Sequence, residues 1–126
     1  MKYAAIVLAA LALPACATDT SSEAMPQTAR YSQRELLKNW ALSACLATIA
    51  KSPADRDDAN ATASAYLEFG NQPIEAYETL GKLAKQYAGR TYSGSIASKF
   101  NTMKCIDLYH SEALESLVET WVKQAP

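Results

Sequence analysis

Beyond residue 30 the apolar positions recur at intervals of three and four, and no stretch alternates apolar and polar residues as a strand would. From Ser32 to Lys51 this spacing puts Leu42, Cys45, Leu46 and Ile49 on one helical face, with Cys45 inside the stripe expected to be buried. Ser52 and Pro53 end that helix and begin another, because a serine side chain caps free N–H groups and proline suits the first helical position. The second helix reaches Phe69 with Ala63, Tyr66, Leu67 and Gly70 in the same register, and Asp55, Asp57 and Asp58 lie where the helix dipole favours negative charge. Gly70 and Asn71 form a stop, and Pro73 opens a third helix to Ala88 whose face is Leu80, Leu83, Ala84 and Tyr87. "GRTYSGS", Gly89 to Ser95, reads as a loop. A fourth helix is expected from Ile96 to His110, and Ser111 caps a last segment with Leu114, Leu117, Val118, Trp121 and Val122 as its apolar stripe. The predicted fold class is all-α, a small bundle of four to five helices.

The N-terminus follows a different logic. "MKYAAIVLAALALPACATDTSS" carries an early positive charge at Lys2, an uncharged apolar run from Ala4 to Leu13, and then small residues. That is the layout of a secretory signal peptide, with an apolar run about half the ~20 residues that span a bilayer. Two processing routes compete. "ACA" fits cleavage after Ala17, whereas "LPAC" resembles a lipoprotein box in which Cys16 becomes the lipidated first residue, with Pro14 departing from that pattern. The expected organisation is a signal segment at 1–17, a flexible lead-in at 18–28 and a single helical domain at 29–126. Either route faces an exported compartment, and membrane association arises only if Cys16 is lipidated.

Composition narrows the function. Twelve basic against 13 acidic residues give no basic stripe of the kind nucleic acids select. Cys105 and the single histidine, His110, are five residues apart, about 140° around a helix beyond one full turn, so within one helix they cannot form a nucleophile–base dyad. One histidine and two distant cysteines do not supply a zinc site, and no cofactor motif is present. The clustered aspartates, and Glu112, Glu115 and Glu119 on the last helix, read as dipole partners and solvated faces. Asn60 to Thr62 fits a glycosylation pattern but falls inside a helix. With Cys16 removed or capped, Cys45 and Cys105 are the remaining thiols of an exported chain, and a disulfide between them is the expected outcome.

Three stretches together, "WALSACLATIA", "ASAYLEFGNQPIEAYETL" and "NTMKCIDLYHSEAL", resemble the immunity proteins that neutralise the fourth family of type VI secretion amidase effectors. The resemblance runs from about Trp40 to Val118. It implies a periplasmic, helical, non-enzymatic inhibitor, usually a homodimer, whose partner is an amidase that cuts peptidoglycan stems with a Cys-His site. It also puts Cys45 and Cys105 where the family has its paired cysteines. Candidate effector contacts are Arg90, Tyr92 and Ser93 on the polar loop, since Arg and Tyr are enriched among dominant interface residues. The competing reading folds Tyr92 onto the core and uses Arg90 to cap the third helix. Phe69 and Ile74 are candidates for a dimer contact. A helical periplasmic or lipoprotein adaptor of the envelope, with no toxin partner, is the alternative function.

Overall fold

The computed structural model describes residues 27–125. The signal segment, Cys16 and most of the lead-in lie outside the described residues. A 3₁₀ turn at Gln27–Arg30 is followed by five α-helices, and no strand occurs among the described residues. The helices are α1 (Gln33–Ile49), α2 (Pro53–Glu68), α3 (Ile74–Ala88), α4 (Asn101–Tyr109) and α5 (Glu112–Gln124).

The helix starts follow local chemistry. Ser32 forms a capping box with Glu35, and the two hydrogen bonds Ser32 makes to the Glu35 carboxylate hold that group below its ordinary pKa. Ser52 accepts from the Asp55 N–H ahead of Pro53, and Ser111 accepts from the Leu114 N–H. Each side chain satisfies one N–H that the helix itself leaves unpaired.

α1 is the central element and touches each of the other four α-helices. Its fully buried row is Leu37, Ala41 and Cys45, flanked by Leu36, Ser43 and Ala47. That differs from the expected face: Leu42 and Ile49 are half-buried and Leu46 is exposed. Because α2 and α3 both pack on α1, small residues on the side of Ala41 and Ala47 admit the close neighbours and the bulkier stripe is turned to the margin. α2 packs chiefly on α1 and buries only Ala63, so Leu67 is left exposed. A double hydrogen bond from one side chain pins its end: Gln33 Nε2 donates to the Phe69 carbonyl at 3.1 Å, and Gln33 Oε1 accepts from the Asn71 N–H at 2.8 Å.

The core joins α1 to Tyr77, Leu80, Ala84 and Tyr87 of α3, Cys105 and Leu108 of α4, and Leu114 and Val118 of α5. Trp40 meets Tyr77 edge to face with ring centroids 5.2 Å apart. A Cys45–Cys105 disulfide crosses this core between α1 and α4, both residues being fully buried.

Glu115 departs from the solvated role expected of the α5 carboxylates. It faces α1 and pairs with both Arg34 and Lys38, while Lys38 also lies 4.4 Å from the centre of the Tyr109 ring. Glu119 keeps to its own helix, paired with Lys123 one turn on, and Glu112 is exposed.

Candidate functional site

α3 ends at Ala88, where Gly89 caps it by donating to the Lys85 carbonyl, and α4 does not begin until Asn101. The expected fourth helix therefore starts five residues late, and the loop runs from Gly89 to Phe100. The reason lies at Phe100, whose backbone is left-handed (φ 50°, ψ 38°) and so cannot continue a right-handed helix back to Ile96. It is the one non-glycine residue with positive φ among the described residues.

The sequence candidates sit at the base of this loop. The Arg90 guanidinium stacks 3.5 Å from the centre of the Tyr87 ring, a cation–π contact that continues the α3 face. Tyr92 is half-buried, and its hydroxyl donates to Asp107 Oδ2 on α4 at 2.5 Å. That hydrogen bond to a carboxylate holds the phenol protonated, raising its pKa above the ordinary 10.0. Ser93 is exposed at the point where the loop leaves the body.

From Ser93 to Lys99 every residue is exposed, and Ile96, at 71% exposure, stands furthest out of the large apolar residues among those described. Thr91 to Ser98 carry no charge, while Arg90 and Lys99 bracket them with positive ones. An uncharged tip can enter a groove without the cost of stripping water from an ion. Met103 and Ile106 on α4 are about half exposed, and Met103 lines both clefts that flank the loop, of about 450 and 650 Å³. A helix expected from Ile96 conceals Ile96 and Phe100 as loop residues; an isoleucine just after a Gly-Ser turn is the signal the sequence carries for them.

Elsewhere the described residues present surface. Both core sulfurs are consumed in the disulfide, and His110 is exposed at the end of α4 against Tyr109, so the two halves of a dyad are not assembled. Among the described residues no group of His, Cys, Asp and Glu is arranged to hold a metal, and no helix is long and apolar enough to cross a membrane. A cleft of about 670 Å³ between α1, α2 and α3 is lined by Trp40, Ala44 and Ile74 and by the basic Arg56, Lys82 and Lys85.

The profile of the type VI secretion system amidase immunity proteins, Tai4, matches residues 35–118. A chain of the Tae4/Tai4 effector–immunity system of Salmonella typhimurium is 53% identical and superposes with a TM-score of 0.73 over 76% of this chain and 95% of its own. In a complex of the S. typhimurium effector Tae4 with the Enterobacter cloacae immunity protein Tai4, the matching chain is 27% identical, with a TM-score of 0.68 over 76% and 99%. A structure described with type VI-secreted toxins and self-resistance proteins of Serratia marcescens is also 27% identical, with a TM-score of 0.71 over 95% and 90%. No curated protein matches the chain.

Proposed function

The chain belongs to the type VI secretion amidase immunity family, and from that premise we propose that it protects its cell by seating the Gly89–Phe100 loop in the active-site groove of an amidase effector. It is an immunity protein, not an enzyme. The carrying observation is the loop itself: an exposed, uncharged segment from Ser93 to Ser98 that projects Ile96 from a disulfide-braced body. A substrate-like intruder needs a narrow, neutral tip and a rigid base, since ordering a floppy binder on contact would reduce affinity. In this arrangement Ser93 and Ile96 meet the effector directly. Arg90 and Tyr92 contact the rim of its groove with the faces left free by Tyr87 and Asp107.

We also propose the setting. Residues 1–17 export the protein to the periplasm, where peptidoglycan is cut, with Cys16 lipidated or removed. The chain pairs with a second copy, and the exposed Phe69 and Ile74, on either side of the turn between α2 and α3, are the apolar surface offered for that contact.

Periplasmic co-expression with Tae4 of S. typhimurium, followed by titration of peptidoglycan digestion with the purified pair, tests the central reading. Survival and stoichiometric inhibition are expected. Inhibition that persists in full after Ile96→Asp overturns the role of the loop. Failure to bind or rescue against both that effector and the one from the same strain overturns inhibition and leaves the envelope adaptor. Mass spectrometry of the mature N-terminus separates a chain beginning at Thr18 from one carrying lipid on Cys16.

A further inference from the structure

The loop has twelve residues and no regular structure, yet an inhibitor gains most from a loop whose bound shape exists before the partner arrives. Its first third is tied down by Arg90 on Tyr87 and Tyr92 on Asp107. Nothing comparable holds Ser95 to Lys99, which are all exposed. What shapes the far side is Phe100.

Phenylalanine is a poor occupant of the left-handed region, which glycine and asparagine adopt far more readily. Such a conformation persists only where its surroundings over-determine it. Here the Phe100 N–H donates to Ser98 Oγ at 3.1 Å, its carbonyl accepts from the Lys104 N–H at 3.2 Å, and its ring folds back over Gly94. A Cβ placed on Gly94 would lie 2.9 Å from Phe100 Cζ and 3.3 Å from Cε2, so the ring fills the room a side chain would need. Gly94 has no positive φ. It is therefore the contact with the ring, and not the backbone, that calls for glycine at this position.

We propose that Phe100 and Gly94 form a latch that closes the loop tip on itself and presets the outward position of Ile96. They are positioning residues for inhibition: the ring meets Gly94, and Ser95, Ile96 and Ala97 bulge between them. The inference rests on the reading that the loop enters the effector, and it assigns the affinity of that loop to a contact the effector does not touch.

The test uses the mature full-length protein and Tae4 of S. typhimurium as probe, with Kd, association rate and thermal midpoint measured for each variant. Phe100→Gly removes the ring and favours the left-handed backbone, so a thermal midpoint equal to or above that of the parent is expected. Its Kd should weaken about tenfold through slower association, as when the competent loop shape is populated about a tenth of the time. Gly94→Ala should weaken binding similarly by displacing the ring. The double variant should bind no worse than Phe100→Gly alone, because the added Cβ then meets empty space. Parent-like binding by both single variants, with Ile96→Asp abolishing inhibition, overturns the latch and leaves the loop reading intact. A double variant whose losses multiply also overturns it. Full inhibition by Ile96→Asp removes the loop reading and the latch together.

Discussion

The hydroxyl of Tyr77 occupies the space beside Gly70 that any larger residue would need: a Cβ on Gly70 would lie 2.0 Å from Tyr77 Oη. The same hydroxyl is buried without a hydrogen-bond partner, and burial raises its pKa above the ordinary 10.0. Gly70→Ala should therefore destabilise the fold by about 2 kcal/mol through overpacking. Tyr77→Phe should be neutral or stabilising by up to about 1 kcal/mol, because an unpaired buried polar group is removed. In the double variant the nearest ring atom is Cζ at 3.4 Å, so most of the loss should be recovered. Urea unfolding of the three variants checks all of this. A double variant no better than Gly70→Ala would show that the clash lies with the Leu67 carbonyl, 3.3 Å away.

The disulfide should be the largest single contribution to stability. Cys45 and Cys105 are 60 positions apart, and cross-linking a loop of that length restricts the unfolded chain by about 4 kcal/mol. Cys45→Ala with Cys105→Ala, or reduction, should bring the domain close to its unfolding threshold. Urea midpoints with and without reductant measure it. A shift under 1 kcal/mol would mean that packing alone holds α1 to α4.

Stability should fall in acid partly through Glu115. The hydrogen bond from Lys38, aided by the charges of Lys38 and Arg34, holds its carboxyl below the ordinary 4.5. A carboxylate with a depressed folded pKa contributes its full stabilisation above that ordinary value and loses it as pH falls through the folded value. The pair is only partly buried, so Glu115→Gln should cost about 1 kcal/mol at pH 7 and almost nothing near pH 2. Unfolding free energies of parent and variant across pH 2–7 should converge toward the acid end.

Tyr92→Phe should separate inhibition from stability. It deletes the hydrogen bond to Asp107 that ties the loop to α4 and leaves every core side chain in place. The thermal midpoint should stay within about a degree or two, while the inhibition constant rises severalfold. With the Tyr92 pKa raised, this tyrosine contributes no titration between pH 6 and 9, so the loss should be flat over that range. Inhibition assays at three pH values decide it.

What the sequence made legible was local. Ser52 with Pro53, and Ser111, mark helix starts because each cap acts within three residues of itself, and both are where expected. Cys45 and Cys105 were readable from number and compartment. The start of α4 was not, because the left-handed turn at Phe100 goes with a ring contact to Gly94 that no helical periodicity encodes. Glu115 misled for the same reason. Its partners Arg34 and Lys38 lie about eighty residues earlier and meet it only once α5 docks on α1. The exposed Ile96 at the heart of the proposed site became visible only when the helix failed to reach it.

The Cys45–Cys105 bond also closes the polypeptide between them into a covalent ring, and the exposed loop lies on that ring. A protease that cuts once between Ser93 and Lys99 opens the ring without dividing the molecule: the downstream fragment, with α4 and α5, stays bonded through Cys105 to α1. The segment most open to cleavage is thus one whose cleavage releases nothing, and a nicked molecule would migrate as one chain until its sulfurs are reduced.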